Sequence, residues 1–270
     1  VTGVLKRRLV RALLGTALAV GRLSEDGARL EGTRVIFEMA PGSSGGRHFG
    51  GRLVEAPDGR LFLSIGDRGD RPSAQDVSRH NGSIIRINRD GSVPAVNPLV
   101  GRDGARPEIW TWGHRNPQGM AVHPETGDVW ITEHGPMGGD ELNRLVAGQN
   151  YGWPVITYGR NYNGSVITDQ TRKEGYEQPA LYWKPSIAVC GIKFYEGEAF
   201  SLWQNKMLVS ALKYEEVRLL DIEGGRVMHQ QVILKNAGRV RDTALDPDGN
   251  IYVVLNKPDR ILRLSPVRER

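Results

Sequence analysis

The residues whose types and spacing can do chemistry gather in residues 113–152, GHRNPQGMAVHPETGDVWITEHGPMGGDELNRLVAGQNYG. Two polar, turn-dense segments, GHRNPQG and EHGPMGGDE, flank MAVHPETGDVWIT, which reads as two short strands joined by a tight turn. Polar groups converging on a rigid hairpin from both ends are what a ligand site needs, and the glycines beside them let the backbone approach a bound group. Arg115, Asn116, Gly135 and Pro136 are therefore the centre of the expected site. His48, in GGRHFGGRL, is expected at a strand start, where the scaffold can hold it as a general base. Asp67 ends the next strand and can orient that imidazole, while Arg115 can hold an oxyanion. Asp140 and Glu141, beside the flexible carbonyls of AGQNYG, offer hard oxygen donors for calcium without EF-hand spacing. Lys213, Arg239 and Arg241 stand at expected strand ends, and alternation places the last two on one side, where they can share an anionic ligand.

The elements that position these residues repeat. GGRLVEAPDGRLFLSIGD begins at Gly50, QGMAVHPETGDVWITEHG at Gln118, CGIKFYEGEAFSLWQNKMLVSALK at Cys190 and RDTALDPDGNIYVVLN at Arg241. In each, an apolar strand meets a turn, commonly Pro-Asp-Gly or a near relative, and a second strand with alternating large apolar residues follows. One or two more strands come after, such as SIIRINRDG, VRLLDIEGG and RILRLSPV. Short strands with regular turns and little helical periodicity indicate an all-β repeat fold, and intervals of about 50 to 70 residues suit four-stranded propeller blades with inserted loops. A β-sandwich is the competing architecture, but nothing in a sandwich requires the turn chemistry to recur. Residues 68–79 and 157–178 read as long loops of the kind that line a propeller's central site.

Composition narrows the function classes. The chain has 270 residues, 39% of them hydrophobic, which suffices for a sizeable core. Its 34 glycines and 15 prolines suit many turns. The net charge of +5 is concentrated in Lys6, Arg7, Arg8 and Arg11, so the rest carries about +1 and has no nucleic-acid footprint. Cys190, the single cysteine, excludes an internal disulfide and reads as a small buried hydrophobe. The opening has two readings. Its basic start, apolar run and Ala17-Leu18-Ala19 trio resemble a secretory signal, whereas TALAVGRLSEDGARLEGTRVIFEM reads as strand, turn and strand. No stretch approaches the roughly 20 apolar residues of a membrane span.

Taken together, GGRHFGGRL, SIGD, EIWTWGHRNPQGMAVHP, EHGPMGGDELN, NYGWP, SALK and GRVRDTALDPDGNIYV resemble, in this order, the soluble pyrroloquinoline-quinone (PQQ)-dependent aldose dehydrogenases, a six-bladed β-propeller family. The resemblance runs from about Val20 to Val267. It implies oxidation of an aldose to its lactone, with hydride transfer to PQQ, a calcium ion beside the quinone and an external electron acceptor. By motif, His48 resembles the base, Asp67 its acidic neighbour, and Arg115 and Asn116 cofactor contacts, Arg115 stabilising charge on the reducing quinone. Lys213, Arg239 and Arg241 are similar to the cationic cofactor-binding positions, and Trp183 and Ser186 in YWKPS match more loosely. Gly135 and Pro136 resemble the calcium-ligating carbonyls, and Glu141 and Tyr151 resemble ligands of a second, structural calcium. The resemblance also implies a periplasmic or secreted location. Relative to the family, residues 1–19 are expected to be an unmatched segment and residues 20–267 an incomplete propeller of about four to four and a half blades. The competing functions are a calcium-dependent propeller hydrolase, such as a lactonase, and a non-catalytic propeller fragment or binding module.

Overall fold

The computed structural model describes residues 15–267. Among these, regular structure is strand apart from two short 3-10 turns at Arg71–Gln75 and Ser201–Trp203. The strands form five antiparallel sheets. A hairpin of β1 (Ala17–Leu23) and β2 (Leu30–Glu38) comes first. Three four-stranded meanders follow: β3 (Leu53–Glu55), β4 (Leu61–Ile65), β5 (Ser83–Ile87) and β6 (Ile109–Trp112); β7 (Pro117–Val122), β8 (Val129–Glu133), β9 (Asp140–Arg144) and β10 (Leu181–Trp183); and β11 (Val189–Phe194), β12 (Met207–Ala211), β13 (Glu216–Glu223) and β14 (Arg226–Lys235). A three-stranded sheet, β15 (Arg239–Leu245), β16 (Ile251–Asn256) and β17 (Arg260–Leu264), ends the described chain. The four repeats are the hairpins β3–β4, β7–β8, β11–β12 and β15–β16. Ala17, Leu18 and Ala19 open β1, as the strand reading of that segment expects. Lys6, Arg7, Arg8 and Arg11 lie outside the described residues.

Strand alternation explains the packing. On β4, Phe62 joins one core while Leu63 and Ile65 join another; on β8, Trp130 faces away from Val129 and Ile131; on β12, Leu208 faces away from Met207 and Val209. Side chains of opposite parity on one strand point to opposite faces, so each of these sheets is buried on both sides between its neighbours. From the first meander onward, the first strand of each sheet also packs beside the first strand of the next, β7 against β3 and β11, and β15 against β11. Cys190 is buried among these inner strands.

With both faces occupied, the free positions are the strand ends. Antiparallel succession brings the start of β3, the ends of β4, β6, β8, β10 and β12, and the starts of β7, β11 and β15 to one end of the sheets. His48, Asp67, Arg115, Gly135, Ser186, Lys213 and Arg239 all lie at or just beyond these termini. The Pro-Asp-Gly turns lie at the other end. No helix among the described residues is long and apolar enough to cross a membrane.

At the inner strands, Arg52 extends from the first meander to Asp242 on β15, forming an ion pair with it while its Nε donates to Gln118 O. Gly191 leaves room for this crossing, because a Cβ there would overlap the Asp242 carboxylate and crowd Arg241 O. Gly191→Ala should therefore destabilise the fold by about 1–3 kcal/mol through overpacking. A urea midpoint equal to that of the unsubstituted protein would contradict this account of the inner strands.

Candidate active site

Asp67 is fully buried just beyond β4. Its Oδ1 pairs with His48 Nδ1 at 2.6 Å and accepts Gly69 N–H at 2.7 Å, while its Oδ2 accepts Trp153 Nε1–H at 2.8 Å. Burial by itself would push this carboxyl up. The His48 hydrogen bond and charge, followed by the Gly69 and Trp153 bonds, more than reverse that, and Asp67 is held below the usual carboxylate range. An ionised Asp67 accepts from Nδ1 and so makes Nδ1 the proton-bearing nitrogen, which leaves Nε2 as the free base position. His48 itself lies in a loop before β3 rather than at a strand start, with φ of 54°.

Arg115 is buried beside this pair, its carbonyl accepting Asp67 N–H at 2.9 Å. Its Nη1 donates to His134 O and Gly135 O, both at 2.9 Å. Burial pushes the guanidinium's pKa down, against Tyr162, Asp67 and Glu133, which favour its charge. Asn116 is also buried: its carbonyl holds His134 N–H and its Oδ1 accepts Gln118 Nε2. The GHRNPQG and EHGP segments are thus bonded directly to each other.

Two carboxylates in this region have structural partners. Glu133 accepts His114 Nδ1, Arg115 N and Asn143 Nδ2. Asp140, weighed above as a calcium donor, instead accepts Gly135 N, Ala188 N and Val189 N, clasping the EHGP turn to the start of β11. Glu141 differs. With Glu133, Arg115, Tyr151 and Trp153 it lines a recess with about 10 Å³ of free space, and burial together with the Glu133 charge pushes its carboxyl up to about 8. A cation in such a recess would relieve both effects. The Tyr151 hydroxyl is occupied by Arg144 O and Val146 N, so its contribution to a cation would come from its carbonyl.

A larger pocket of about 350 Å³ opens alongside, lined by His134, Gly135, Pro136, Tyr162, Ser186 and Lys213 among others. Ser186 Oγ donates to Pro136 O at 3.3 Å, joining the β10–β11 loop to the EHGP turn. Trp183 is not among the residues lining this pocket. It is buried in the core between the second and third meanders, with its indole N–H on Gln230 of β14. The alternation expected for Arg239 and Arg241 is interrupted by a bulge between Val240 and Asp242, leaving Arg239 half-buried and Arg241 exposed. The sequence reading passed over His114, Glu133, His134, Trp153 and Tyr162. The first four lie inside motifs it had already singled out, GHRNPQG, EHGP and NYGWP, so adjacency to those motifs was the available signal.

The model of the glucose/sorbosone dehydrogenase family matches residues 9–263. The chain belongs to that family. The match begins inside the segment 1–19 that was expected to be unmatched. The chain is 43% identical over 256 residues to the aldose sugar dehydrogenase YliI of Escherichia coli, covering 93% of this chain and 69% of that protein. Its fold superposes on a crystal structure of a glucose dehydrogenase with a TM-score of 0.91 at 42% identity, covering 94% of this chain and 74% of the other. A PQQ-bound aldose sugar dehydrogenase from Streptomyces coelicolor aligns with a TM-score of 0.71 at 26% identity, covering 90% and 69%. The chain spans 63% and 58% of two further relatives, from Synechocystis and Acinetobacter calcoaceticus.

Within this family framework the donor set can be tested against the cofactors. Among the described residues, Lys213, Arg239 and Arg241 have no carboxylate within ion-pair distance, which suits a ligand carrying several carboxylates. No cluster of three or more His, Cys, Asp or Glu among the described residues is arranged to hold a metal, so a hard cation would depend on carbonyl oxygens such as those of Gly135 and Pro136. Gly135 O already accepts Arg115 Nη1 and Pro136 O accepts Ser186 Oγ, so each carbonyl would offer a cation its second lone pair.

The depressed folded-state pKa of Asp67 has a definite sign. Its stabilisation is complete above the ordinary aspartate value and is lost as pH falls through the lower folded value. Stability should therefore decline with acid below about pH 4. Asp67→Asn should lower neutral-pH stability by about 1–3 kcal/mol and flatten that acid limb. Urea titrations across this range decide it, and an acid limb as steep in the variant would assign the effect to other carboxylates.

Proposed function

We propose that this chain oxidises the anomeric carbon of an aldose to the lactone, using PQQ and calcium and passing electrons to an external acceptor. The observation that carries the reading is the pairing of His48 with the fully buried Asp67, set beside Arg115 and the EHGP turn at one end of the sheets. When bound, PQQ supplies the two-electron acceptor and calcium the Lewis acid that polarises it. The protein's own contribution begins with Asp67, which holds Nδ1 of His48 so that Nε2 can remove the proton of the sugar's anomeric hydroxyl. Arg115 offers a fixed positive charge where negative charge develops, and its two bonds to the EHGP carbonyls keep it from swinging away. Lys213, Arg239 and Arg241 hold the carboxylates of the cofactor, with Ser186 and Asn116 completing the polar wall. Gly135 and Pro136 would carry the cofactor-associated calcium on their carbonyls. Glu141 and Tyr151 would carry a second, structural one.

In this reading the four-stranded sheets are blades of a six-bladed ring, and the ligand enters at the end where the loops converge. A periplasmic or secreted location accords with the family.

The test combines purified protein with PQQ and calcium, followed by separate assays of aldose-dependent dye reduction and lactone hydrolysis. Dye reduction is expected. His48→Gln should lower turnover by roughly 10²–10⁴-fold while PQQ still binds. Lys213→Ala and Arg239→Ala should instead weaken PQQ affinity and leave the fold intact. Lactone hydrolysis without dye reduction, or full turnover in His48→Gln, would overturn the proposal.

A further inference from the structure

Arg68 follows Asp67 directly and is 1% exposed, with φ of 58°. Among the described residues it has no carboxylate partner. Its Nη2 donates to Gly45 O at 2.7 Å, its Nε donates to Arg47 O at 3.3 Å, and its guanidinium carbon lies 3.9 Å from the centre of the Phe49 ring. The Nη1 atom is buried without a partner. Burial pushes the guanidinium's pKa down, the direction expected for a cation held away from water without a counter-charge.

A buried charge in this state is a poor source of stability, because desolvating it costs several kcal/mol and no ion pair offsets the loss. The contacts themselves suggest another reason for its presence. Residues 45, 47 and 49 bracket His48 on both sides, and His48 occupies the left-handed region that a residue with a Cβ adopts at a cost of about 1–3 kcal/mol. We propose that Arg68 is a positioning residue for His48: its guanidinium clamps the 45–49 loop so that the imidazole stays on Asp67 with Nε2 left free. Adjacent residues thereby divide the task. Asp67 fixes the ring, and Arg68 fixes the backbone that carries it. The inference rests on the reading of His48 as the base, but the clamp can be measured independently of that reading.

Arg68→Met fills nearly the same volume without charge, and Arg68→Lys keeps the charge but cannot span both carbonyls and cover Phe49. In both variants the exchange-protected Nδ1–H proton resonance of His48, recorded by NMR on protein without cofactor, should disappear or broaden. Arg68→Met should melt at the same temperature as the unsubstituted protein or higher. With PQQ and calcium supplied, kcat should fall by about 10²-fold while KM for the aldose and PQQ affinity stay within about twofold, as expected for a misplaced catalytic group. Retention of the resonance and of kcat in both variants would overturn the proposal. So would a lowered melting temperature with parallel losses in KM and PQQ affinity, since that pattern marks a purely structural arginine. If the unsubstituted protein shows no dehydrogenase activity, the functional reading fails while the resonance still decides whether Arg68 sets His48.

Discussion

The Asp67 carboxylate is the interaction on which the site depends. It is removed from water, and an ion in that position would be strongly destabilising without donors. Its donors come from three separate stretches of chain, His48, Gly69 and Trp153, while its own N–H is held by Arg115. Charge-assisted bonds of this kind are about twice as strong as neutral ones, so one buried anion fixes the His48 imidazole, the loop after β4 and the Trp153 indole. Loss of any of these donors would leave the carboxylate underbonded, which couples the geometry of His48 to segments far away in sequence.

The same device recurs at successive strand ends. Glu133 clasps His114, Arg115 and Asn143, and Asp140 clasps Gly135 with Ala188 and Val189. Sheets buried on both faces leave their polar chemistry at their ends, where loops from neighbouring sheets must be tied together without regular pairing. Buried carboxylates accepting backbone and imidazole N–H groups meet that need. The cations are arranged in the opposite way. Lys213, Arg239 and Arg241 have no acidic partner among the described residues, so their charge is available to a ligand. Acids that bind the protein to itself and bases left free together suit an anionic cofactor.

Much of this was legible in the sequence because it is local. The four hairpins declared themselves through alternating apolar residues and Pro-Asp-Gly turns, and His48, Asp67, Arg115 and Gly135 were found as neighbours because their motifs flank strands that the fold places side by side. What escaped notice depends on contacts across the chain. The bulge at Arg241 breaks the alternation assumed for Arg239 and Arg241, and no residue type there announces it. Asp140 and Glu141 are adjacent carboxylic side chains in the sequence, but only the fold reveals that backbone N–H groups surround the first while the second faces a recess. Trp183 matched a motif and yet turns into the core. Arg68 read as one more polar loop residue, since nothing local distinguishes a solvated arginine from one buried under a phenylalanine.

The most direct test of the central claim is the rate at which an aldose reduces protein-bound PQQ in a single anaerobic turnover, compared between the unsubstituted protein and Asp67→Asn at equal PQQ occupancy with calcium present. If the buried carboxylate orients His48 as the base, the variant should bind PQQ normally but reduce it at least about 10²-fold more slowly. Reduction by Asp67→Asn at the unsubstituted rate would contradict the account, because proton removal would then not depend on the interaction around which the site is built.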